Sequence, residues 1–329
     1  MPTLDRAVLS LYIYDGTSGS QSSSNLRYTL AKQRIAGQSN ILFEISDLVR
    51  DYIDHEFNND YTSSAKWVTA STQLFDPDGN EFASGSPVVN HYVALDAYGY
   101  FEDGINPQGS DNALISVSKI YLPENTTGKF PIFAEGVGKV TIDSTDTQIT
   151  DNGNSNQKIQ YLTIPASATS IKVYDTDDTT LLKTVTIDRI CEPKYTSYKV
   201  TFVNKHGAYA DIYFFKKAVE SMNVHDEKYK LNTIDTTNVT YPTYKGQENR
   251  YNVDARKSVS LNTGFVDEGF NEAIEERLLS ENVWIRWENK TLPVIPKTKS
   301  MTYKTGLNDK IINYTVDFEF AFSKINNIR

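Results

Sequence analysis

The chain has 329 residues, enough for two or three domains with cores of their own. Aromatic residues make up 12% of it, led by 21 Tyr, and Thr, Ser, Asn and Asp are abundant, which suits half-buried β-strands better than helices. A formal charge of −9 argues against a surface that grips nucleic acid, since phosphate contacts need clustered Lys and Arg, and the single Cys191 rules out an intrachain disulfide framework.

The N-terminus, MPTLDRAVLSLYIYDG, lacks the basic start, long apolar run and cleavage site of a secretory signal. No stretch nears the roughly 18 consecutive apolar residues of a transmembrane helix. The expectation is a soluble protein made in a cytoplasm, with no membrane insertion. Alternation then dominates the opening: Leu9, Leu11 and Ile13 point one way, Ser10, Tyr12 and Tyr14 the other, up to the turn at Asp15-Gly16. GTSGSQSSSN (16–25) reads as a flexible polar loop. RYTLAKQRI (27–35) and ILFEI (41–45) read as strands. Ser46 then looks like an N-cap, and Leu48, Val49, Tyr52 and Ile53 form one stripe, predicting a short helix over 47–54 that closes on the first sheet. KWVTASTQLFD (66–76), VVNHYVALDAYGYF (88–101) and ISVSKIYLP (115–123) are further strands, so residues 1–123 can form one β-rich domain.

From residue 124 the strands shorten. KVTID (139–143), KIQYLTIP (158–165), SIKVYD (170–175) and LLKTVTI (181–187) recur about every ten residues, the rhythm of a small immunoglobulin-like sandwich over 124–192. The last segment, 193–329, opens with two strands about a Gly turn, YKVTFVNKHGAYADIYFFKK (198–217). KSVSLNTGF (257–265) leads into a helix over about 267–279, where Val266, Phe270, Ile274 and Leu278 share a face. Asp267 and Glu268 in its first turn and Arg277 near its last suit the helix dipole. NVWIRWEN (282–289), TLPVIPKTKSMTYKT (291–305) and IINYTVDFEFAF (311–322) complete the segment. The fold class expected is mainly β and multidomain, with sandwich or barrel domains and one or two short helices.

Chemistry is sparse. The four His (His55, His91, His206, His225) lack metal-ligand spacing. YDTDDTT (174–180) resembles a calcium loop, but Thr180 stands where Gly must turn and Thr186 where a bidentate acid is needed, so it reads as a turn. DPDGNE (76–81) reads the same way. GVGKVTID (136–143) leads into a strand rather than a helix, so it makes no phosphate cradle. Cys191, beside Glu192, reads as a buried or linker thiol. Neither a metal nor a cofactor is expected. Asp317 and Glu319 remain: two apart on a strand, they share a face with Thr315 and Ala321 while Tyr314, Val316, Phe318, Phe320 and Phe322 line the other. Such a pair could serve glycoside hydrolysis, or be the wet side of an ordinary strand, the reading preferred here. Trp284 and Trp287, three apart, take opposite strand faces and make no stacking platform.

The C-terminal third resembles a group of tailed-bacteriophage virion proteins. The residues that carry this are VTFVNKHGAYADIYFFKK (200–217), SLNTGFVDEGFNEAIEERLLSENVWI (260–285) and LNDKIINYTVDFEFAFSKINNIR (307–329), and FEISDLVRDYIDHEF (43–57) looks like the opening domain of the same kind of protein. The resemblance implies a non-enzymatic component of the tail, baseplate or head-to-tail region. Its strands–helix–strands order is similar to the barrel-plus-helix block of tail-tube and distal-tail proteins, whose edge strands join neighbours into a ring. The partners implied are further copies of the chain and other virion proteins, without sequence-specific nucleic-acid binding, and the place is the virion, assembled in the host cytoplasm. Asp317 and Glu319 would then face a lumen or a neighbouring subunit. The alternative is a fibre or adhesin-like virion protein, with Trp67, Tyr98, Tyr100 and Phe101 stacking on host glycans.

Overall fold

The computed structural model describes residues 4–81, 87–104, 112–231, 237, 239–305 and 312–325. Among the described residues the fold is mainly β, with 18 strands in four sheets and two α-helices. The first sheet joins β1 (Arg6–Tyr14), β2 (Leu26–Gln33), β3 (Lys66–Phe75) and β4 (Val88–Ala94) in the antiparallel order β2-β1-β3-β4. Its buried face is the one the alternation predicts: Leu9, Leu11 and Ile13 pack with Val68 and Ala70. Helix α1 (Ser46–Arg50) covers that face through Val49, and Ile53 adds to the same core. The helix is shorter than the expected 47–54 because the backbone tightens, with Tyr52 and Ile53 N–H bonding to carbonyls three residues back. Residues 41–45 form no strand; Phe43 and Ile45 pack on the core without a ladder partner.

The middle of the chain is sandwich-like. It contains β5 (Lys119–Pro123), β6 (Gly128–Phe133), β7 (Lys139–Ile142), β8 (Thr145–Gln148), β9 (Ile159–Ile164), β10 (Ser170–Tyr174) and β11 (Leu181–Ile190). Sheet β5-β11-β10-β7-β8 and the pair β6-β9 enclose Phe130, Ile132, Val140, Ile164, Ile171 and Val185. β5, assigned by sequence to the end of the first domain, pairs in parallel with β11 and so belongs to this middle sheet. Its Ile120, Tyr121 and Leu122 are all buried, as a parallel strand covered on both faces requires.

The last segment holds β12 (Tyr198–Val203), β13 (Tyr209–Phe214), β14 (Val219–Lys230), β15 (Glu248–Asn262), α2 (Phe270–Leu279), β16 (Val283–Trp287), β17 (Lys290–Pro296) and β18 (Thr315–Phe320). These strands make one sheet, β13-β12-β16-β17-β18-β15-β14. The order has two ends, so the barrel expected here is not closed by strand pairing among the described residues. The β13 end lies against β5 and β6, and the middle and last segments share one contiguous core, from Phe130 through Phe214 to Ile274 and Phe318. The β14 end is open. β18 pairs only with Ser258–Asn262 of β15, whereas β14 pairs with β15 back to Glu248. Residues 222–230 of β14 and their partners on β15 therefore run past the sheet as a two-stranded ribbon about 30 Å long, at roughly 3.3 Å per residue. Neither ribbon strand has an apolar alternation that would have announced it.

Polar hubs attach the first sheet to the rest. Asn156, buried between β8 and β9, donates to the carbonyl of Ala65 at 2.8 Å and to Asp15 at 2.9 Å, while its backbone N–H donates to the Gly16 carbonyl at 3.0 Å. Thr17 bridges to Ser155, so the start of the 16–25 stretch, expected to be flexible, is fixed to the middle sandwich. A second hub forms where Asp96 accepts from Arg50 (2.9 Å) and lies 3.0 Å from His55 Nε2. Gly207 fits against it in a left-handed turn (φ 76°), where a Cβ would sit 2.9 Å from the Asp96 backbone nitrogen. Between the hubs Phe57, Tyr209 and Trp284 pack as aromatic neighbours, 4.9 to 5.9 Å between centroids. Gly207→Ala combines a disfavoured φ with a backbone clash. It is expected to cost about 1–3 kcal/mol in urea denaturation and to raise hydrogen exchange first in residues 50–57 and 96–98.

Candidate functional site

The carboxylate pair read from the sequence lies on β18, between β15 and β17. Val316, Phe318 and Phe320 are buried, and Asp317 and Glu319 project from the opposite face. Their surroundings separate them. Glu319 accepts from Lys297 Nζ at 2.7 Å and from Arg256 at 3.2 Å, and these cations, Lys297 first, hold its carboxyl below the usual range against the opposing effect of burial. A glycosidase acid needs the reverse shift. Asp317 is exposed, and its backbone is fixed by Thr298 Oγ1 (2.9 Å) and the Lys297 N–H (2.8 Å). This arrangement locks β15, β17 and the segment after it to β18.

The other sequence candidates resolve into turns. In 174–180, Asp177 accepts from the N–H groups of Thr179 (2.8 Å) and Thr180 (2.7 Å) and from the Thr180 hydroxyl, which holds its carboxyl well below the usual range. Asp76 caps the Asn80 N–H at 2.8 Å across the turn at Gly79. Cys191 is exposed in the linker after β11, and the neighbouring Glu124 raises its thiol pKa, which opposes nucleophilic use. Among the described residues, no three His, Cys, Asp or Glu side chains are grouped to hold a metal ion. Of the aromatics considered for sugar stacking, Trp67 is buried and the hydroxyls of Tyr98 and Tyr100 point inward, leaving Phe101 alone fully open.

Two buried charges on α2 escaped the sequence reading. Glu276 is 3% exposed and accepts a short hydrogen bond from Ser116 Oγ, which also lies 3.2 Å from His206 Nε2. The trio has the residue types of a hydrolytic triad in a different order: serine sits between histidine and glutamate, so no carboxylate orients the imidazole, and an ionised Glu276 competes with His206 for the serine proton. The adjoining cavity, walled by Val117, Phe202, Ile212 and Phe270, is only about 30 Å³, room for a water rather than a substrate. Burial pushes the Glu276 carboxyl up to about 7, with Ser116 and then Lys205 offsetting only part of the shift.

Arg277 is the second. Its side chain is fully buried, its guanidinium lies 5.2 Å from the Phe318 ring centroid, and among the described residues no acceptor reaches any of its three nitrogens. Desolvation alone lowers its pKa to about 10. A ring face compensates a cation only in part, so this site carries a net cost within the core.

The open surface lies elsewhere. Every residue of β14 except Asp226 is exposed, including Val219, Met222, Val224 and Tyr229, and Tyr251 faces Tyr229 from β15. Among the described residues no strand pairs with the outer edge of β14. Comparisons with protein-family models, curated proteins and solved structures find no match.

For Glu276, a folded pKa raised above the unfolded value gives stability that is complete below about pH 4.5 and is lost as pH rises through about 7. Wild-type stability is therefore expected to exceed its Glu276→Gln counterpart least at pH 8, and the difference between them to change by on the order of 3 kcal/mol from pH 5 to 8 in urea titrations. Replacing Arg277 with Met removes an unpaired buried cation at similar volume. Urea denaturation is expected to show a gain of about 1–3 kcal/mol, whereas a loss of that size would reveal a partner for the guanidinium.

Proposed function

We propose that this chain is a structural protein that assembles with further copies of itself, with the β14–β15 ribbon as the joining element. The observation that carries this is the ribbon: about 30 Å of two-stranded sheet, its β14 residues exposed except Asp226, with Met222 at 55% and Tyr229 at 48% exposure and an outer edge that no strand pairs with among the described residues. An isolated hairpin of this kind is marginal in water, and an open edge is a template for another strand. The opposite end of the same sheet, β13, is already covered by the middle sandwich. A neighbour must therefore offer β14 a different surface, and such head-to-tail contacts close into rings when the rotation allows.

The ring is the arrangement that the sequence resemblance implies for a tailed-bacteriophage virion component of the tail, baseplate or head-to-tail region. On this reading the middle sandwich is an immunoglobulin-like insertion, the partners are other copies and neighbouring virion proteins, and the wet face bearing Asp317 and Glu319 looks onto a lumen or a subunit. The inward Trp67, Tyr98 and Tyr100 give no support to the glycan-binding alternative.

The test compares the full chain with Met222→Asp/Val224→Asp, at exposed positions outside the core. Sedimentation velocity and electron microscopy of concentrated protein are expected to show one closed oligomer for the wild type and a monomer for the variant, with unchanged circular dichroism. A wild-type monomer at every concentration, or a variant that assembles normally, would overturn the reading. A twofold dimer would mean that β14 edges pair with each other rather than around a ring.

A further inference from the structure

Apart from the ribbon, the surface carries a hollow and a projection that complement each other. The hollow, about 330 Å³, opens beside the turn between β16 and β17. Trp287, Leu292, Phe320 and Phe322 give it apolar walls, and the Trp287 ring is fixed by stacking on Tyr198 at 4.6 Å. Lys257, Lys290 and Lys324 stand around it against one acid, Glu288. Lys257 is partnered by Glu220 at 3.5 Å, while Lys290 and Lys324 make no side-chain ion pair among the described residues. In a chain with a formal charge of −9, this is a locally cationic, aromatic-walled site.

The projection is the turn Phe101–Asp103. Phe101 is fully exposed and makes no ring or cation contact, and Glu102 and Asp103 follow it directly. Gly104, left-handed at φ 64°, closes the turn, and the Tyr98 N–H anchors the preceding segment to the Lys205 carbonyl at 2.9 Å. Other strongly exposed aromatics fit worse: Tyr244 and Tyr303 each precede a lysine, and Phe265 already lies under Lys216, 5.7 Å from its ring centroid.

We propose that the Phe101 ring of one copy inserts into the Trp287/Phe320/Phe322 hollow of the next, with Glu102 and Asp103 pairing with Lys290 and Lys324. The inference rests on the self-assembly reading and adds a second, side-chain contact to it. The volume suits the task, since a cavity of about 150 Å³ already holds a benzene ring. A central buried aromatic within a rim of opposite charges is the usual anatomy of a specific interface. The two patches differ, so the contact is head-to-tail and compatible with a closed ring. In its own chain Phe101 is wholly exposed and so leaves the hollow of that chain free for a neighbour.

Carbodiimide cross-linking of the assembled full chain, read by mass spectrometry, is expected to join Glu102 or Asp103 to Lys290 or Lys324. Phe101→Ala is expected to weaken association about tenfold or more. Lys290→Glu/Lys324→Glu is expected to weaken it as well, and Glu102→Lys/Asp103→Lys in the same chain to restore it. If these variants assemble like the wild type while the Met222/Val224 variant does not, the insertion is wrong and the ribbon reading stands. If the reversed pairs fail to rescue each other, another partner surface binds the hollow and the proposal is overturned. A wild type that never assembles overturns both.

Discussion

Strand β15 sets the character of the molecule, because one continuous ladder passes from core to solvent along it. At its C-terminal end Val259 and Leu261 are buried beside β18, in the core that also holds Phe318 and Ile274. Over Glu248–Asn252, at its N-terminal end, the same strand pairs with β14 alone among the described residues and is exposed throughout. A sheet gains stability from side chains packed on its face, so the ribbon depends on the body for its register, and the proposed assembly would supply its cover. The β14–β15 bulge at His225–Glu227 adds local twist to the exposed part without ending the pairing.

The body from which the ribbon extends is rigid for a different reason at each junction. The middle and last segments are welded by a single apolar core. The first sheet is attached by directional contacts: Asn156 reaching Ala65 and Asp15, Asp96 between Arg50 and His55, and the close approach of Gly207. Buried polar hubs of this kind fix one orientation, because a shifted arrangement would leave each group unpaired.

Much of the fold was legible in the sequence where one face of an element is dry and the other wet. β1 and β18 announced themselves by alternation, and α2 by Phe270 and Ile274. The wet-side reading of Asp317 and Glu319 agrees with their placement, although the ion pairs that hold Glu319 come from Arg256 and Lys297, remote in sequence. The ribbon was invisible because VESMNVHDEKYK is exposed on both faces, and a strand without a dry side has no period to detect. Arg277 was misjudged through residue type rather than spacing: seven positions after Phe270 it lies on the buried stripe, where an arginine is least expected. The Ser116–His206–Glu276 contact joins residues 90 or more apart, which no local pattern can bring together.

Hydrogen–deuterium exchange of the full chain across a range of protein concentrations tests the central claim most directly. The account predicts that amides of residues 219–230 exchange rapidly when the protein is dilute and become protected as it concentrates, while β12 and β16 stay protected throughout. Protection of 219–230 that does not change with concentration would contradict it, whether those amides are uniformly slow or uniformly fast, because either result would mean that the ribbon has no need of a neighbour.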